Sequence, residues 1–176
     1  MGIKESISKI QIKKACFAQK AGKSQDEVLL IAVTKTRTPP EIDEAIACGI
    51  TDIGENKVQE ALGKWQAMSD LTDLHWSVIG HLQTNKAKAA VETFDWIDCV
   101  DSLKIAAEIN RHAAALGRTV PVMIQLKLNA SPTQSGVSPE EAGALLAGLR
   151  GFKNLDPRGY MGIAPAGAGP AELKAA

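Results

Sequence analysis

Neither charge is in excess in this chain: twenty lysines and arginines face twenty aspartates and glutamates. Nucleic acid and anionic membranes are held by a basic field, so the balance excludes both as principal partners. Long apolar runs are also missing. Stretches such as Val28–Val33 are far too short to cross a bilayer, and Lys4 and Glu5 stand where a signal peptide would turn apolar. Cysteine is scarce. Cys16, Cys48 and Cys99 are odd in number and share no metal-ligand spacing, which excludes a disulfide framework and a cysteine metal site. They read as small buried hydrophobes in a reducing cytoplasm, and the expectation is a soluble cytoplasmic monomer.

Two short matches carry no function. The first six residues fit the loose N-myristoylation pattern by chance. Gly22-Lys23-Ser24 imitates the end of a phosphate-binding loop, but Phe17 stands where the first glycine belongs and a helix precedes it.

At 176 residues the chain suits one domain with a real core. Ile3, Ile7, Ile10, Lys14 and Phe17 recur at helical spacing, predicting an amphipathic helix that stops at Ala21-Gly22. Leu29–Val33 is aliphatic without alternation, as in a strand buried on both faces, and Lys35 ends it. Pro39-Pro40 opens a helix and Gly49 closes it. A short strand at Asp52–Gly54 precedes a helix from Glu55 to about Met68, and His75–Gly80 is a third strand. Thr84 caps a helix running through Val91, Trp96–Val100 is a fourth strand, and Asp101 or Ser102 caps a helix over Leu103–Leu116. Val120–Leu128 is a fifth strand, followed by a polar loop at 129–136, a capped helix from Ser138 to Leu149, and a sixth strand over Arg158–Ile163.

Six alternations at intervals of about thirty residues predict a parallel α/β sheet, closed as a barrel or open. In a barrel the working groups follow the carboxyl ends of the strands. Lys35, Glu55-Asn56, His81–Gln83, Asn129 and the single tyrosine, Tyr160, all fall at such positions, which favours the barrel. A lysine there suits imine formation with an aldehyde, since partial desolvation favours the free amine. Lysines flanking strands are also commonly just solvated, and the local sequence leaves both readings open.

Ala32-Val33-Thr34-Lys35-Thr36, Gly54-Glu55-Asn56 with Val58-Gln59-Glu60, Gly80-His81-Leu82-Gln83-Thr84-Asn85-Lys86 and Arg158-Gly159-Tyr160-Met161 occur in one family in this order. From Val28 to Met161 the chain resembles the pyridoxal-phosphate homeostasis proteins, whose fold is similar to the N-terminal barrel of bacterial alanine racemase. The resemblance implies a TIM-type (β/α)8 barrel binding pyridoxal 5'-phosphate (PLP) as a Schiff base on Lys35, with Asn56, His81 and Met161 beside the cofactor. It implies a role in PLP homeostasis, as a carrier or regulator with PLP-dependent apoenzymes as possible recipients, and not an enzyme.

Some positions depart from the family. Lys127 stands in the fifth strand, Gln134-Ser135-Gly136 replaces the usual Lys-Ser-Gly, and Ile163-Ala164-Pro165 replaces Ile-Pro. The family's phosphate cup follows the sixth strand, and nothing in 164–176 matches it beyond a frayed helix from Pro170. The expectation is therefore a single barrel domain over 1–176 that lacks two βα units, roughly 50–60 residues at about 30 per unit. An open six-strand arc would leave both edge strands unpaired. Three functions remain: a PLP carrier, a PLP-dependent racemase-like enzyme needing a second proton-transfer group, and a truncated remnant with impaired cofactor binding.

Overall fold

The computed structural model describes residues 2–68, 70–71, 73–128, 134–165, 167 and 169. The chain divides into two compact units, Met1–Glu55 with Gln59–Trp76, and Asn56–Val58 with Ser77–Ala176.

In the first unit, helix α1 spans Ile3–Lys20. Ile7 and Ala18 are buried, whereas Ile10 and Phe17 are exposed, so the buried stripe is narrower than the helical spacing predicts. Strand β1 is only Ile31–Val33, half-buried and then exposed along its length. The expectation of a strand buried on both faces fails here. Val33 is 50 % exposed, and the paired partner of β1 is β2, Asp52–Glu55, in parallel register Ile31↔Asp52 to Val33↔Gly54.

Helix α2, Pro39–Ile46, lies between these strands. Its start is sealed by Glu41, which accepts the Thr38 N–H and hydroxyl at 2.8 and 2.9 Å. Gly49, at φ 86°, turns the chain out of it. Helix α3 covers Val58–Ala67, three residues later than the sequence predicts, because Glu55 stays in β2. Ile42, Ile50, Ile53, Ala61 and Leu74 form the unit's apolar interior. Strand β3, His75–Val78, begins here with the His75 N–H on the Thr51 carbonyl at 2.8 Å.

In the second unit the end of β3 pairs with β4, Trp96–Val100, then β5, Val120–Leu126, and β6, Leu155–Gly162, all parallel and in chain order. A single 3-10 turn, Thr84–Lys86, leads into α4, Ala87–Thr93, where the sequence predicts a Thr84 cap. Helices α5, Leu103–Ala115, and α6, Pro139–Leu149, start at Ser102 and Ser138, whose hydroxyls accept the N–H groups of Ile105 and Glu141. Val78, Phe94, Ile97, Val100, Ile109, Val120 and Leu149 are fully buried between sheet and helices.

β6 starts three residues earlier than the sequence predicts. Its register against β5 shifts between Val122↔Pro157 and Met123↔Gly159, so Arg158 is the extra residue of a bulge beside Pro157, which has no N–H for the ladder.

The cysteine expectation holds only in part. Cys99 is buried, Cys48 half-buried and Cys16 exposed, all three free. Among the described residues no group of three or more His, Cys, Asp or Glu side chains could hold a metal, and no helix is long and apolar enough to cross a membrane.

Candidate cofactor site

Lys35 follows β1 by two residues, in a turn, and is exposed. It does not end a buried strand, and the partial burial expected of its amine is not found. Its two neighbours are held tightly. The Thr34 N–H donates to the Gly54 carbonyl at 3.0 Å, and the Thr34 hydroxyl to Glu55 Oε1 at 2.6 Å. The Thr34 carbonyl accepts from Lys64 Nζ at 2.7 Å, and the Thr36 N–H donates to Glu60 Oε1 at 2.6 Å.

Lys64, from α3, links both carboxylates, at 2.7 Å to Glu55 Oε1 and 2.8 Å to Glu60 Oε1. Glu55 is wholly buried and Lys64 is 8 % exposed. Burial works against the ammonium, but the hydrogen bonds and charges of Glu55 and Glu60 outweigh it and raise its pKa above the usual lysine value. The sequence reading includes Glu55 and Glu60 as motif residues and misses Lys64. The Glu60–Lys64 spacing of four along a helix was the available signal.

The other predicted residues belong to the second unit. Asn56 is half-buried and follows the last residue of β2. Gly80 lets the Asn56 backbone pass: a Cβ on Gly80 would lie 2.3 Å from the Asn56 carbonyl oxygen and 2.8 Å from its Cα. His81 is exposed, with Nδ1 3.3 Å from Asp101 Oδ2, in a polar groove with Gln83, Thr84 and Ser102.

Met161 is half-buried on β6 opposite Gln125. Tyr160, one residue earlier, is 51 % exposed and lines a groove with Leu146 and Arg150 of α6. Successive strand residues point to opposite faces, which puts Tyr160 on the helix side of β6. Lys127 lies just past β5, its N–H on the Val137 carbonyl at 2.8 Å, so it is not a strand residue as the sequence suggests. Gln134 donates to the Ile163 carbonyl at 3.2 Å. Asn129 and the segment from Pro170 lie outside the described residues.

Sequence comparison decides the family. The profile of the alanine racemase N-terminal domain matches residues 15–175. A pyridoxal phosphate homeostasis protein of Pseudomonas aeruginosa is 38 % identical over 161 residues, 92 % of this chain and 70 % of the relative. This chain belongs to the pyridoxal phosphate homeostasis protein family. A second member, from Synechocystis, is 40 % identical over 145 residues, 82 % of this chain and 66 % of the relative.

A solved structure shares the fold at more than a third identity. PipY of Synechococcus elongatus, solved without and with PLP, superposes with TM-scores of 0.79 and 0.78 at 41 % and 40 % identity, over 92 % of this chain and 75 % of PipY. Alanine racemase of Clostridium difficile, at 17 % identity and TM-score 0.64, shares the fold. The six βα units are therefore part of an alanine racemase-type barrel. The chain spans about two thirds of the length of its curated relatives.

Proposed function

We propose that this chain binds PLP through Lys35 and serves to hold and hand on the cofactor, without turning over an amino acid. The observation that carries this reading is an exposed primary amine at the exit of β1 whose two neighbours are held by the carboxylates of buried Glu55 and half-buried Glu60. When bound, PLP supplies an aldehyde that a primary amine can hold covalently, and the donor set here fits that group. Asn56, His81 and Met161 are the further residues proposed to contact the cofactor. The PLP-bound structure of PipY and the names of the curated relatives support the same reading.

Racemisation needs two proton-transfer groups on opposite faces of the reacting carbon. Lys35 offers one. The single tyrosine is on the helix side of β6 and does not offer the second. PLP-dependent apoenzymes are the proposed recipients, and a cytoplasmic monomer with neither nucleic-acid nor membrane partners the proposed state. Free cysteines and balanced charge are in keeping with it.

The test incubates PLP-loaded protein with L-alanine in heavy water. The expected result is visible cofactor absorbance that Lys35→Ala abolishes, with no D-alanine and no α-deuterium at turnover rates. Enantiomer formed at turnover rates and lost in Lys35→Ala would make the protein an enzyme.

A further inference from the structure

Lys35 sits between two peptide groups that both bond to one ion pair. On one side the Thr34 carbonyl accepts from Lys64 Nζ at 2.7 Å; on the other the Thr36 N–H donates to Glu60 Oε1 at 2.6 Å. The same Glu60 oxygen accepts from Lys64 at 2.8 Å, which closes a bracket across Lys35. Thr36 has φ 63°, the one described non-glycine residue in the left-handed region. A β-branched residue stays there only when its surroundings hold it. Two bonds hold it: the Arg37 N–H donates to the Thr34 carbonyl at 2.9 Å, closing the turn over Lys35 and Thr36, and the Thr36 N–H donates to Glu60; losing the second loosens the turn just after Lys35.

Stability accounts for the Lys64–Glu55 pair but not for Glu60. An isolated Glu60–Lys64 pair at helical spacing contributes little, and Lys64 would already neutralise the buried Glu55 without Glu60. We propose that Glu60 and Lys64 are positioning residues for Lys35: they fix the peptide groups on either side of it, so that its amine leaves the end of β1 in one direction. This rests on the reading of Lys35 as the residue that holds PLP.

The Lys35 nitrogen bonds the aldehyde carbon of PLP and the aldehyde oxygen leaves as water. Borohydride then delivers hydride to that carbon and water a proton to the nitrogen, leaving a stable amine that peptide mapping can find. The experiment reacts the full chain with PLP, quenches with borohydride over time, and maps the label on every lysine. The variants are Glu60→Ala, which removes the acceptor for Thr36, and Glu60→Gln, which keeps a carbonyl oxygen there. The Glu60 side chain is 30 % exposed, so its truncation leaves no sealed cavity, and thermal melting identifies the temperature below which each variant is folded.

The expected result is dominant labelling of Lys35 in the wild type, a roughly tenfold slower labelling of Lys35 alone in Glu60→Ala, and most of the rate regained in Glu60→Gln. A merely structural role would leave the Lys35 rate unchanged in folded protein. Unchanged labelling of Lys35 in folded Glu60→Ala overturns the positioning role while Lys35 keeps its own. Wild-type label confined to other lysines overturns both.

Discussion

Asp98, on β4, is 3 % exposed, and its Oδ1 finds no hydrogen-bond partner among the described residues. Burial pushes its carboxyl up to about 6 from 3.8, against a smaller opposing effect from a hydrogen bond with Ser77. The folded state thus holds the proton more tightly than the unfolded state, and Asp98 subtracts stability as pH rises from about 4 to about 6. The full difference is about 3 kcal/mol. Glu41, Glu108 and Glu140 have lowered pKa values and act in the opposite sense, below 4.5. Urea unfolding at pH 4 and pH 6.5 should therefore show a loss of stability that Asp98→Asn largely removes; an equal pH effect in both proteins would refute the assignment. Beside it, the Cys99 thiol is raised well above its usual pKa by burial, with the Asp98 and Asp101 charges adding to the effect, and stays protonated. The sequence alone shows an aspartate in a strand. Which face of β4 is sealed depends on the helices laid against it.

Helix α3 does more than cover the sheet. It carries Lys64 into contact with Glu55 of β2, so this element is tied to the strand by charge, and its Ala61 is fully buried. Lys64→Met would leave the fully buried Glu55 carboxylate with the Thr34 hydroxyl alone, and the expected loss is about 3–5 kcal/mol of stability, measured by urea or thermal unfolding. Because the folded-state pKa of Lys64 is raised above 10.5, its contribution is complete at neutral pH and is lost only as pH climbs through that raised value. A loss below about 1 kcal/mol on substitution would refute this role of Lys64. Glu60 and Lys64 are legible as a helical pair in the sequence. Their meeting with Glu55 and the Thr34 carbonyl is not, since it needs the strand and helix packed together.

For the whole molecule, the six strands keep the order and direction that alternation predicts, while β1 is less buried than its aliphatic run suggests. Leu29 and Val33 are 62 % and 50 % exposed. The sequence by itself determined the alternation of strands and helices, the parallel sheet, the family and the position of Lys35, because hydrophobic period, caps and local motifs are properties of neighbouring residues. Tertiary structure decided the rest: that β1 stops at Val33 and leaves Lys35 in an exposed turn, that Tyr160 faces α6, and that Lys64 joins two carboxylates around the Lys35 turn. Those depend on which faces pack together, and burial and charge pairing between distant segments are set only when the chain is folded.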